Sequence, residues 1–497
     1  MINISFNNHY LSLGDAFYQK ITPAPVKNPS LIKFNHELAE AIGIEVNNLD
    51  ATELAMVFSG NHIPPEAEPL AMAYAGHQFG NFVPQLGDGR AILLGEVTDS
   101  NGDSLGIHLK GSGQTAFSRN GDGRAALGPV LREYLVSEAM ARLGVPTTRA
   151  LAAVTTGEKV SRESLLPGGV ITRVASSFVR VGTFQFFMAR DDLDSVQALA
   201  DFVIEHNYPH LREADQPYAE LLKAIVDAQA KLIAQWMQLG FIHGVMNTDN
   251  MSVAGETIDY GPCAFMDTYR HEQVYSYIDR TGRYAYNNQP SIGLWNLTRL
   301  AESLLPLLAN EPDDAVQIAQ DILNKYPAGY EHYWLNGMRS KFGLTDRPDA
   351  AVTDDDRALI EALFDIMATG EADFTLTFYS LSKLLSQPSD LDAALRNLFS
   401  NKEQLDAWLA KWRERLDHED STDEQRQAAM QTVNPVYIPR NHQIEAAIRA
   451  AEDQGDLSVF HALHEVLQQP YEHQAGKDEY MQPPRPHEEV RQTFCGT

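Results

Sequence analysis

A change of period partway along the chain restricts its fold more than any other feature. Between Leu86 and Phe187 the sequence advances in short β-like runs, RAILLGEV, SLGIHLK and GGVITRVASSFVRV, each closed off by Gly or Asp. From about Asp191 onward helical spacing takes over. Strands grouped in one stretch and helices in another point to an α+β molecule, with a small antiparallel sheet followed by a helical body. One helix interrupts the sheet region, GPVLREYLVSEAMARLG, with Pro129 near its start and Gly144 past its end. Later, Leu222, Ile225, Val226, Leu232, Ile233, Trp236 and Met237 share one helical stripe, and Gly240 is its natural stop.

At 497 residues the chain exceeds one compact core, and typical domain sizes imply about three units. Residues 1–75 read as an extension of loops and turns, 76–187 as the sheet lobe and 188–410 as the helical lobe. Residues 411–497 read as a helical extension ending in a polar, flexible tail. The formal charge of −28 repels nucleic-acid backbones unless a local basic pocket overrides it. Two cysteines cannot build a disulfide framework or a four-thiolate zinc site. No apolar run reaches the roughly 18–20 residues of a membrane span; LTRLAESLLPLLA is short, charged and broken by Pro306. With no basic-then-apolar leader pattern, the expectation is a cytoplasmic protein with neither nucleic-acid nor membrane partners.

Alternation in SLGIHLKGSG puts Ile107 and Leu109 on one strand face and His108 and Lys110 on the other. A lysine that ends a strand just before GSG is placed to meet an anion, although a solvated edge lysine would look the same in isolation. Glu133, at the border of the next helix's apolar stripe, can turn toward the sheet. A strand lysine followed by a helix glutamate is the order in which protein kinases assemble their phosphate-holding ion pair. Two glycine clusters flank the lysine strand, Gly87-Asp88-Gly89-Arg90 and Gly121-Asp122-Gly123-Arg124. Their backbone amides can approach phosphate oxygens, though a tight turn explains either alone. GSGQTA imitates a dinucleotide fingerprint but is followed by more loop instead of a helix. Arg173 and Arg180, seven residues apart, would fall on opposite faces of one strand unless a bulge or turn near Ala175-Ser176-Ser177 brings them together.

The sharpest segment is His243-Gly-Val-Met-Asn-Thr-Asp249-Asn250, followed by Ile258-Asp259-Tyr260-Gly261. It keeps the kinase step from His to Asn, and DYG stands for DFG. Asn250 and Asp259 are oxygen ligands of the kind a magnesium–phosphate site requires. Where a kinase keeps its catalytic-loop aspartate, this chain has Val245, which accepts no proton. Asp249 is the nearby carboxylate that can.

YAGHQFGNFVPQLGDGRAILLGE, HLKGSGQTAFSRNGDGRAALGPVLREYLVSEAM, HGVMNTDNMS…TIDYGP and NPVYIPRNH resemble the selenoprotein O (SelO/YdiU) family over nearly the whole chain. The resemblance implies a protein-kinase-like bilobal fold with ATP bound back to front. AMP, and in some members UMP, is then transferred to Ser, Thr or Tyr hydroxyls of proteins with release of pyrophosphate, using Mg2+ or Mn2+. It assigns Gly87, Gly89, Arg90, Lys110, Asp122, Gly123, Arg173 and Arg180 to the nucleotide, Glu133 to the ion pair with Lys110, Asn250 and Asp259 to metal (Asp259 facing nucleotide as well), and Asp249 to proton acceptance. Cys495 matches a C-terminal redox position in the family, with Cys263 its possible partner in this chain. A plain buried Cys263 and a free tail thiol are the other reading. Against transfer stand a conventional γ-phosphate kinase, a catalytically silent ATP-binding scaffold and, last, an NAD-binding oxidoreductase.

Overall fold

The β-prone runs with Gly and Asp at their ends do form strands, and they pair into one twisted sheet. The structure, a computed structural model, describes residues 4–46, 49–344 and 350–494. Its main sheet contains β1 (Tyr18–Lys20), β2 (Ser30–Phe34) and β3 (Leu70–Met72), and a separate hairpin follows, β4 (Gly76–Gln78) with β5 (Asn81–Val83). The main sheet then takes up β6 (Ala91–Thr98), β7 (Ser104–Lys110), β8 (Ala125–Ala126), β9 (Arg149–Ser161) and β10 (Leu165–Ala175). The order is β1-β3-β6-β7-β10-β9-β2, with β8 pairing the start of β10, and the neighbours run antiparallel.

One sequence expectation needs correcting here. The first 75 residues are more than loops: they supply three strands of the sheet and two helices, α1 (His36–Ala41) and α2 (Ala51–Phe58). Strands of three to five residues carry too little alternation to declare themselves. They exist because β6 and β9 offer open edges to pair with.

Each face of the sheet is covered. Ile107 and Leu109 point into a core shared with Phe34, Leu38, Leu54 and Phe58, so α1 and α2 cap that side. The opposite face receives α3 (Leu127–Arg142), whose Val130, Leu131 and Tyr134 pack with Ala153 and Ile171. Gly144 closes α3 at φ +78°, as expected of a left-handed C-terminal position.

Helices then follow: α4 (Val181–Met188), α5 (Leu193–Asn207), α6 (Pro217–Leu239) and α7 (Gln289–Leu308). Gly240 ends α6 in the left-handed region. Pro306 does not break α7; it sits in the last turn, and the helix runs on to Leu308. Proline forfeits one bond to the carbonyl four residues back and crowds it, and the helix ends two residues further on. A two-stranded ladder, β11 (Phe241–Ile242) with β12 (Ala264–Phe265), carries the segment between them. Further helices run from Pro312–Leu323 to Ser458–Val466. One of them, Asn441–Gln454, returns to α3: Glu452 Oε1 accepts the Gly128 N–H at 2.9 Å, and Ile444 and Ile448 join the α3 core. Near the C-terminus Thr493 donates its N–H to Tyr275 O (2.8 Å) and its hydroxyl to Pro262 O (2.6 Å). Among the described residues no helix is long and apolar enough to cross a membrane.

Candidate active site

Several chain segments converge where the sheet meets the helical body: the two glycine clusters, the end of β7, the end of β10 with the turn into α4, and the loop between β11 and β12. They enclose a cavity of about 560 Å³, within the usual range for small-molecule sites, about 300–1,000 Å³. Gly87, Gly89, Arg90, Lys110, Asp122, Gly123, Arg173, Arg180, Asp249, Asn250 and Asp259 all line it. Seven basic side chains (Arg90, Lys110, Arg119, Arg124, Arg162, Arg173 and Arg180) face four acidic ones (Asp88, Asp122, Asp249 and Asp259). A locally cationic cleft thus sits inside a protein of net charge −28.

Lys110 ends β7 with its ammonium 2.7 Å from Glu133 Oε2 and also bonded to an Asp259 oxygen. Glu133 is 3% exposed; it lies behind the cavity wall on α3 and takes a second bond, 3.3 Å, from Arg173 Nη1. The strand lysine, helix glutamate and DYG aspartate therefore form one network. Burial by itself would raise the Asp259 carboxyl, but Lys110, Arg173 and Arg90 override it and hold the group well below the usual carboxylate range. Asp259 also adopts φ +67°, a left-handed conformation that Asp tolerates better than most residues.

Arg173 and Arg180 reach the same cavity through a device the sequence had left open. The register of β10 against β9 shifts between Thr172 and Arg173, a bulge of the kind that re-aims side chains beside functional sites. The strand stops at Ala175, and Arg180 becomes the N-terminal flanking residue of α4. Its guanidinium lies 4.3 Å from the Tyr74 ring centroid and donates to Asp249 O at 3.0 Å. Arg173 Nε and Arg180 Nη2 are buried with no partner. Orphaned cationic donors at a cavity wall call for an anionic ligand.

Both glycine clusters are built against the loop between them, residues 113–118. At Gly87, φ is +71°, and a Cβ would stand 2.2 Å from the Phe117 ring, so no other residue fits. Gly113 N donates to Gly123 O at 3.0 Å. Asp122 is held at both oxygens by Arg162, 2.8 and 3.1 Å, and it accepts the Arg124 N–H at 2.9 Å.

Asp249 and Asn250 sit in a single 3-10 turn, Thr248–Asn250. Burial pushes the Asp249 carboxyl up to about 6, although a bond from Gln78 Nε2 (3.2 Å to Oδ2) pulls the other way. Its Oδ1 is buried without a partner. His243 ties this loop to the Asp259 segment, with Nε2 2.9 Å from Ile258 O and its ring stacked on Trp236. Asn250 donates one amide hydrogen to Val245 O (3.1 Å), which turns its Nδ2 to the backbone and leaves Oδ1 as the acceptor end. Together with an Asp259 oxygen this is a hard-donor pair. It fits a small divalent cation that takes one or two protein ligands and completes its shell with phosphate and water. Among the described residues no group of three or more His, Cys, Asp or Glu side chains forms a metal cage.

Cys263 is a buried thiol, pushed up to about 12 mainly by that burial; the expected redox pairing cannot be followed because Cys495 lies outside the described residues. The sequence also pointed to no role for Gln78, Asp88, Arg119 or Arg162. Gln78 meets Asp249 across 171 positions, a separation that leaves no local pattern to find.

A family model described as protein adenylyltransferase SelO matches residues 1–468. Proteins named protein nucleotidyltransferase YdiU from Rhizobium meliloti (strain 1021) and Rhodopseudomonas palustris (strain BisB5) are 55% identical over 498 and 496 residues, covering 100% of both chains in each case. Another of that name, from Rhizobium leguminosarum bv. trifolii (strain WSM2304), is 56% identical over 492 residues, 99% of this chain and 97% of its own. With its cationic cleft and matches that run from end to end, this chain belongs to the SelO protein adenylyltransferase family.

Proposed function

We propose that the protein transfers AMP, or UMP, from a nucleoside triphosphate to Ser, Thr or Tyr hydroxyls of other proteins and releases pyrophosphate. In this reading the sheet, β1 to β3 included, and the helical body correspond to the two lobes of a protein kinase. The observation that carries it is the cavity in which Lys110, Arg173, Arg180, Asp249, Asn250 and Asp259 meet, with arginine donors still lacking partners.

A triphosphate entering back to front would lay its outer phosphates along Lys110, Arg173 and Arg180, with Arg90 and the glycine amides beside them. Its inner phosphorus would then face Asp249. Asp249 takes the acceptor's proton as the hydroxyl oxygen bonds to the α-phosphorus; the bond to the bridging oxygen breaks, and pyrophosphate departs with that electron pair. A carboxyl raised to about 6 is still mostly ionised near neutrality, yet basic enough to accept a proton. A divalent cation, Mg2+ or Mn2+, held by Asn250 and Asp259 would supply neutralising charge at the phosphate oxygens. Lys110 and the arginines stabilise the charge that accumulates on the leaving pyrophosphate.

Parallel incubations with α- and γ-labelled ATP test this. Label from the α-position alone should enter protein, whereas γ-label transfer would make the protein a conventional kinase. A second reading, a catalytically silent ATP-binding scaffold, is favoured by Val245 at the kinase base position. It predicts nucleotide binding with no labelled product from either isotope.

A further inference from the structure

Behind the cavity wall lies a histidine that the proposed chemistry does not use. His108 is fully buried on β7, directly across the ladder from Arg173 on β10, and does not line the cavity. Both ring nitrogens are engaged: Nδ1 lies 2.8 Å from Arg173 Nη2, and Nε2 lies 3.0 Å from Asp88 Oδ2. A guanidinium has only donors, so Nδ1 must present its lone pair. The ring then carries its hydrogen on Nε2, opposite a carboxylate acceptor. An imidazolium, or the other tautomer, would set an N–H against Arg173.

The two partners are anchored in turn. Asp88 Oδ2 also accepts the Met72 N–H (3.1 Å), and Asp88 O accepts the Thr115 hydroxyl (2.7 Å). The first glycine cluster is thereby tied to β3 and to the loop that leads into the second cluster. Arg173 Nη1 is held by Glu133. Phe178 stacks on the imidazole at 4.4 Å and lies 5.6 Å from the Arg173 guanidinium carbon. We propose that His108 is a positioning residue which, as a single neutral tautomer, joins the Gly87–Gly89 loop and the Arg173 guanidinium into one rigid phosphate-gripping unit. This rests on the nucleotide-binding reading of the cavity.

The test compares full-length wild type, H108Q and H108F by calorimetric titration with Mg-ATP. Phenylalanine keeps the stacking on Phe178 but strands a buried arginine donor and leaves Asp88 Oδ2 with the Met72 N–H alone, so Kd should rise about tenfold or more. Glutamine can accept from Arg173 through its oxygen and donate to Asp88 through its nitrogen, so H108Q should stay within about threefold of wild type. If both variants bind like wild type, or both weaken equally, His108 is a packing residue and the proposal falls while the nucleotide site stands. If wild type itself does not bind Mg-ATP, both fall together. A second measurement needs no folded variant of the Phe type: 15N-histidine NMR of the wild type at neutral pH, with the resonance assigned by its loss in H108Q. An Nε2-protonated neutral ring is expected; an Nδ1-protonated ring or an imidazolium overturns the proposal.

Discussion

Replacing Glu133 with Gln isolates the electrostatics of the site from its shape. The native carboxylate, 3% exposed, takes one bond from Lys110 at 2.7 Å and one from Arg173 at 3.3 Å. Glutamine keeps one acceptor oxygen but loses the charge, and its amide nitrogen must face a cation. Breaking a buried ion pair at one partner costs about 3–5 kcal/mol. Asp259 remains bonded to Lys110, so the low end applies, about 3 kcal/mol. Unfolding entropy of roughly 2.1 cal/mol/K per residue, taken over 497 residues, gives about 1 kcal/mol/K. The melting temperature should therefore fall by about 3 °C in scanning calorimetry without nucleotide. Saturating Mg-ATP should narrow the gap, because a bound triphosphate supplies the counter-charge that Glu133 no longer does. A variant that melts within about 0.5 °C of wild type would mean that Lys110 and Arg173 do not depend on this carboxylate, and the network described here would be wrong.

Asp259→Ala should abolish transfer from α-labelled ATP while circular dichroism reports an intact fold; transfer at the wild-type rate would remove Asp259 from the site. Asp249→Asn should slow transfer by about 10²–10⁴-fold and leave the Mg-ATP Kd within about threefold, whereas lost binding would make Asp249 a structural residue. Gly76→Ala would place a Cβ 2.4 Å from Asp249 Oδ1 and so should lower kcat by displacing the carboxylate, which steady-state kinetics can check. Away from the cavity, burial raises the Glu96 carboxyl to about 7, partly opposed by the Tyr10 N–H at 3.0 Å. The folded state keeps that proton between about 4.5 and 7 while the unfolded chain has lost it, so stability drains as pH rises through this window. By pH 8 the loss amounts to about 3 kcal/mol. Glu96→Gln keeps an acceptor for Tyr10 and should be more stable than wild type at pH 8 but not at pH 4; equal melting temperatures at both values would refute the shift.

Several parts of the site were legible in local order because they are local chemistry. Alternation in SLGIHLK put His108 and Lys110 on one face, and β7 has that arrangement. The border position of Glu133 on its helix stripe became the contact with Lys110. The α6 stripe ended at Gly240 as its conformation demands. Arg173 and Arg180 were legible only as alternatives, since no spacing rule says whether a strand bulges or stops; the chain does both, at Thr172 and at Ala175. The strands at 18–34 and 70–72 were illegible because pairing, not propensity, creates them.

By itself, the amino-acid order determined the α+β class, the glycine stops of α3 and α6, and the residue types capable of holding phosphate and accepting a proton, because helix stops, strand alternation and side-chain ionisation act over a few residues. Tertiary structure decided which of those groups meet. Gln78 with Asp249, Asp88 with His108 and Arg173, and Lys110 with Asp259 are joined across 20 to 171 positions of chain. The shifts of the Asp249 and Asp259 carboxyls follow from burial and from neighbouring charges, and neither cause exists until the sheet has closed against the helices.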